Sequence, residues 1–263
     1  MTSLLDTPPL GLLDSLRGDP ARRPARDLTT APGLRAHLED ELFALWGDVV
    51  LATPLVVRAS SLRSVSAVEL AQPLAQARGV LVNQTLRLLC VGADLERPFE
   101  SALNAWRCEV GSNDLVNYVD ALDADERARL ASAVDAHART LAGAFGPVGG
   151  RWLPRTGVRA SQRLAGGNLI LRDVVDLMVG STATPHASVV LLDVTTAPLD
   201  ANIERVTRYH ALVQTLRTST MPLRTSAFST ATGELWSHDV DAVLLRQALD
   251  ELLEVVRRVG ARS

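Results

Sequence analysis

Apolar residues recur at helical spacing through the first half of the chain and gather into short, branched runs in the second. Leu34, Leu38, Leu42 and Leu45 follow Pro32 at steps of three or four, which predicts a helix that Gly47 stops. Residues 49–58 (VVLATPLVVR) are apolar and β-branched but interrupted by Pro54. Residues 64–78 and 98–109 read as helical, and 79–91 is apolar without a deciding period. The cleanest helix spans 123–145. Asp123 and Glu126 have the spacing of a capping box, and Leu130, Val134, Leu141 and Phe145 line one face. GPVGG at 146–150 ends that helix and makes a flexible boundary.

Beyond the boundary the pattern changes to strands. Residues 168–179 (NLILRDVVDLMV) and 188–195 (SVVLLDVT) are short, rich in Val, Leu and Ile, and joined by the loop GSTATPH. A helix over about 201–217 follows, with Asp200 as N-cap and Val206, Tyr209, Leu212, Val213 and Leu216 on its buried side. Residues 223–230 (LRTSAFST) predict another strand and 232–234 a turn. Asp239 or Asp241 caps a last helix. Strand, strand, helix, strand, helix defines an α/β core on a mixed sheet flanked by helices, preceded by a mainly helical N-terminal part. The expected organisation is a poorly ordered lead over 1–30, a helical region over 31–149 and the core over 150–263.

Composition narrows the partners. The chain has 263 residues, 47% of them hydrophobic and 22% charged, as expected of a folded protein. No apolar stretch approaches the roughly 20 residues that span a bilayer, and the N-terminus lacks a signal-peptide pattern. Cys90 and Cys108 form neither a disulfide framework nor a metal spacing, so a cytoplasmic setting is the default expectation. There is no lysine, so every basic residue other than histidine is arginine. The net charge of −3 argues against a strongly basic nucleic-acid binder. Charge is uneven, however: residues 1–150 carry 14 arginines against 19 acids, and residues 151–263 carry 13 against 11. Arg151, Arg155, Arg159, Arg163 and Arg172 form a basic stretch free of acids. The acidic N-terminal half offers a surface for a protein partner.

Two aspartates lie inside apolar strand runs, Asp176 in VVD and Asp193 in VVLLDVT. Burying a carboxylate is costly unless it is paired or binds a metal. On adjacent strands the pair would converge, and with a backbone carbonyl would suit Mg²⁺ or Mn²⁺. The other reading is structural: each aspartate caps a turn or pairs with an arginine, Arg172 or Arg205.

The order of these elements resembles the PD-(D/E)XK nuclease superfamily, in its RecB C-terminal and Cas4-like branch. LRDVVDLMVG supplies the first acid as Asp176, and LLDVTT the second as Asp193. RVTRYHALVQTLR resembles the following helix, with Tyr209 at the tyrosine position, and MPLRTSAFSTATGEL the next strand. The resemblance covers about residues 150–255 and implies a restriction-endonuclease-like core acting on DNA with a divalent metal. Three departures qualify it. Thr195 stands at the lysine position, where a charge would stabilise the attacked phosphate. RWLPRTGVRASQRL lacks the upstream acid of many members. His137, on the 123–145 helix, is the candidate for the metal-reaching histidine, with a buried structural histidine as the alternative.

Arg205 and Arg208, close to Tyr209, could replace the missing lysine or be clamped on carboxylates. Tyr209 could equally pack with its hydroxyl on a partner. Three functions follow: a degenerate nuclease fold that binds DNA with weak or no cleavage, phosphates being met by Arg155, Arg159, Arg163 and Arg172; an active Mg²⁺- or Mn²⁺-dependent nuclease using Arg205 or Arg208; or a non-catalytic protein scaffold.

Overall fold

The computed structural model describes residues 11–63, 73–93, 95–109, 113–146 and 152–260. Strands β1 (Leu55–Arg58), β2 (Arg155–Leu164), β3 (Leu169–Val179), β4 (Val190–Thr195), β5 (Arg224–Ser229) and β6 (Leu235–Asp239) form one mixed sheet. Helices α1 (Leu12–Arg17), α2 (Thr30–Trp46), α3 (Pro73–Cys90), α4 (Pro98–Arg107), α5 (Asn113–Ala121), α6 (Ala124–Phe145), α7 (Ala201–Thr218) and α8 (Ala242–Gly260) flank it. The α/β class expected from the pattern is what the chain adopts.

Local chemistry accounts for the element ends. Gly47 takes φ 57° after α2, a left-handed stop that glycine adopts freely. Asp123 and Asp200 accept from the backbone N–H of Glu126 (2.7 Å) and Ile203 (2.9 Å) and so cap α6 and α7. Asp241 is the cap of α8, accepting from Val243 and Leu244. In the run 49–58 only the residues after Pro54 form a strand, because proline cannot donate to the ladder. The segment 79–91 is helical as the second half of α3, and the 64–78 helix expectation lies partly outside the described residues. Strand β6 is an addition: LWSHD is short, partly exposed and polar, and its sequence carries little strand signal.

Packing crosses the expected boundary at residue 150. One core joins α1 and α3–α6 to Leu177, Leu192, Val194 and Phe228 of the sheet. The other joins α2, Val57 of β1 and the start of β3 to α7 and α8. The N-terminal half therefore supplies both a strand and the cover of the sheet. Part of the expected loose lead is also fixed, since Leu13 and Leu16 of α1 are buried and Ala187 N–H donates to Pro24 C=O (3.0 Å). Two buried leucines in one short helix are too few to show a period among prolines.

The feature that positions the site is a fork at one edge of β3. Along that edge β1 runs parallel to its first half, ending at Arg58 opposite Arg172. Strand β4 runs antiparallel to its second half, beginning at Leu177 opposite Leu192. Residues 173–176 of β3 lie between the two ladders, while β2 covers the other edge. Continuing the β3–β4 register by one step sets Asp176 opposite Asp193.

The turn leaving β3 is a backbone constraint. Gly180 sits at φ 89°, its N–H donates to Trp152 C=O (2.9 Å), and a Cβ there would lie 2.1 Å from Ser188 O. Gly180→Ala is expected to destabilise the fold by about 2 kcal/mol or more, read as a lower urea midpoint at unchanged m.

Candidate functional site

The carboxyl pair forms where the sheet divides. Asp176 Oδ2 accepts from the backbone N–H of Val194 (2.8 Å), replacing a ladder bond where β4 turns away from β3. Asp176 Oδ1 accepts from Asn83 Nδ2 of α3 (2.9 Å). The carboxyl groups of Asp176 and Asp193 are close enough to influence each other. Burial, and then the negative charge of Asp193, push the pKa of Asp176 well above the usual carboxylate range. Burial acts in the same direction on Asp193, but the proximity of His210, with help from Asp176 and Arg63, holds it below its usual value.

His210 of α7 is the cation of this cluster. Its Nδ1 lies 2.8 and 2.9 Å from the two oxygens of Asp173, a residue of the fork that is 4% exposed. Its Nε2 lies 3.8 Å from Asp193 Oδ1, an ion-pair distance too long for a hydrogen bond. Burial alone would lower the pKa of His210, but Asp173 and Asp193 outweigh it and raise it to about 10. The cluster Asp173, His210, Asp193, Asp176 and Asn83 thus brings β3, α7, β4 and α3 together.

The other expected site residues have separate tasks. Thr195 Oγ1 accepts from Ala197 N–H (3.1 Å), and Thr195 C=O accepts from Thr230, so the lysine position holds a strand-end turn. The buried Tyr209 hydroxyl donates to Val57 C=O (3.0 Å), with Arg172 C=O as second acceptor (3.2 Å), bracing β1 against β3 at the fork. Arg208 makes a two-point contact with Glu251 of α8, at 2.7 and 3.1 Å, and an ion pair with Glu204 at 2.8 Å. Arg205 also faces Glu251, at 3.9 Å. Both arginines, candidates to replace the lysine, thus face Glu251 of α8. The arginine whose charge reaches Asp193 is Arg63, just after the 3-10 turn Ala59–Leu62 that follows β1.

His137 is half-buried on α6. Burial lowers its pKa, opposed by the Thr230 backbone and aided by Arg78. Its Nδ1 has no hydrogen-bond partner among the described residues. Among the described residues no group of three or more His, Cys, Asp or Glu side chains is arranged to hold a metal ion. Mg²⁺ or Mn²⁺ needs ionised oxygen donors with free lone pairs. Asp176 already accepts two hydrogen bonds, from Asn83 and Val194, and Asp193 lies 3.8 Å from His210 Nε2.

The basic stretch is on β2 and β3. Arg155, Arg159, Arg163 and Arg172 are all exposed. Arg155 Nη2 donates to Gly180 C=O (3.0 Å). Arg159 and Arg172 border a cleft of about 560 Å³ that reaches Asp173. Among the described residues no helix is long and apolar enough to cross a membrane.

Asp173, His210, Asn83 and Arg63 were not singled out by sequence reasoning. Asp173 carried a signal, as a second acid in the strand that holds Asp176. Asn83 and Arg63 carried none.

No protein-family model matches the chain, and no curated protein matches it. The crystal structure of SSO0001 aligns over 84% of this chain and 83% of its own, at 11% identity and a TM-score of 0.33, which is too low to carry an argument.

The charge state of His210 is testable. Its imidazole is expected to remain protonated at pH 8 by NMR, and Asp173→Asn to lower its pKa. Because the folded pKa of about 10 lies above the ordinary 6.5, the stabilisation is complete below about pH 6.5. It declines as pH rises and is gone above about 10. Denaturation midpoints across that window should fall for the wild type and less for His210→Gln.

Proposed function

We propose that this chain is a nucleic-acid-associated protein with a degenerate PD-(D/E)XK-type core, binding DNA with weak or no cleavage. One observation carries the reading: the two motif acids meet at the fork of the sheet, yet their charge is balanced internally. Asp193 faces His210 at 3.8 Å, and Asp176 accepts from Val194 and Asn83. Acids placed for phosphodiester chemistry are thereby converted into a structural joint. The turn at Thr195 gives no charge to an attacked phosphate.

What supports retained binding is the exposed basic stretch beside the joint. Arginine contacts to phosphate release counterions, so affinity would fall steeply with salt. Mg²⁺ or Mn²⁺ would act as a counterion in such a complex and not as an activator of water.

Single-stranded and duplex DNA, and RNA, should be offered to the full chain with Mg²⁺ or Mn²⁺, and binding and cleavage followed together. The expected result is salt-sensitive DNA binding, with cleavage no faster than in Asp176→Asn/Asp193→Asn. Cleavage abolished in that double variant would establish an active nuclease instead. Absence of both binding and cleavage would leave the scaffold reading.

A further inference from the structure

Strand pairing brings together arginines that are distant in sequence. Arg58 of β1 is the register partner of Arg172 of β3, and Arg172 is in turn the partner of Ser161 of β2. Paired residues on neighbouring strands project to the same face, and so do residues two apart on one strand. Arg159, the partner of Val174, therefore shares that face with Arg172. The face is open: Arg58, Arg159 and Arg172 are exposed, and Val174 is 52% exposed.

Like charges directly opposite each other on adjacent strands repel and destabilise the pairing. Some arginines elsewhere are paired with carboxylates, as in Arg87–Glu109, Arg107–Asp120, Arg208–Glu251 and Arg257–Glu41. Among the described residues none of Arg58, Arg159 and Arg172 has a carboxylate within ion-pair distance. Asp173 lies next to them in the chain but is turned inward onto His210. The three guanidinium groups surround a cleft of about 560 Å³, with Ser60 and Ser161 adding hydroxyls to its rim. That volume falls within the ~300–1,000 Å³ of ligand clefts. Guanidinium forks match phosphate oxygens in geometry as well as charge.

We infer that the cleft at Arg58, Arg159 and Arg172 is a seat for consecutive phosphate groups, as carried on a nucleic-acid backbone. The assignment rests on the nucleic-acid reading and deepens it in two ways. It adds Arg58, which lies far outside the basic stretch of the sequence. It also concentrates binding at one corner of the sheet, next to the fork, instead of along the whole run from Arg155 to Arg172. A bound backbone would cover the Arg58–Arg172 repulsion and leave Val174 as an apolar contact for a sugar or base.

The test uses the full chain, fluorescein-labelled single-stranded and duplex oligonucleotides, and inorganic tripolyphosphate as a separate probe. Arg58→Ala/Arg172→Ala should weaken oligonucleotide binding about tenfold or more and flatten the log K against log[salt] slope by roughly 0.7 per lost single-strand contact. Arg129→Ala, an exposed arginine on α6, should bind as wild type. Arg58→Glu places opposite charges across the pair. It should melt at or above the wild-type temperature while losing binding, whereas an arginine with only a structural role would give a lower melting temperature. Undiminished oligonucleotide binding in the double alanine variant overturns the seat and leaves the nucleic-acid reading standing. Cleft-dependent binding of tripolyphosphate without oligonucleotide binding upholds the seat and removes that reading. If neither probe binds, both fall.

Discussion

The architecture turns on one constraint: β3 serves two strands on the same edge. Strand β1 occupies its first half and β4 its second, and the four residues between them lack a ladder on that side. Buried backbone and carboxyl groups at such a gap need partners or they cost stability. Side chains supply them. Asp176 takes the Val194 amide, Tyr209 donates to Val57 and Arg172, and Asp173 takes the imidazole of His210. The donors come from β4 and α7, and the bonds end within a few residues of the fork. The joint holds the helical layer and the sheet in register, which explains why the N-terminal half and the core share their packing.

The same constraint explains the chemistry of the acids. Two carboxylates side by side in a low-dielectric site cannot both be ionised cheaply. A divalent ion, a proton or a fixed cation can each resolve that conflict. Here His210, whose pKa is raised to about 10, is a fixed cation beside Asp193. Because Asp173 orients His210 from behind, the imidazolium is fixed in position and does not depend on a ligand. The arginine that accompanies it, Arg63, arrives from the turn after β1, so even the outer charge reaches Asp193 through the strand that forms one arm of the fork.

Much of this was legible in the sequence, and the limits have physical causes. Helix α6, helix α7 with its Asp200 cap, and strands β3 to β5 follow from period and capping alone, because each has one signal that packing then reinforces. The meeting of Asp176 and Asp193 was also expected, since charges in apolar strands demand a partner. His210 was not legible as that partner. Residues 206–216 of α7 are all buried, so the helix has no solvent face across that span, and a reading that seeks one apolar stripe puts His210 on the wrong side. Arg208 misled for a related reason: its charge is also buried, and only the fold shows that Glu251, more than 40 positions away, receives it. Strand β1 was obscured by Pro54, and its pairing with β3 spans more than 100 residues, beyond what local pattern encodes.

That long-range pairing is also what separates the two ends of the site. On the inward side of the fork each acid has a donor or a cation beside it, while His210 Nε2 and Asn83 Oδ1 have no hydrogen-bond partner among the described residues. The outward side is the opposite, with Arg58 and Arg172 facing each other across a ladder that their charges weaken. A fold maintained only as a scaffold would gain stability from an acid at either position. The paired acids on the inward side and the facing arginines on the outward side are two consequences of the same strand pairing at the fork.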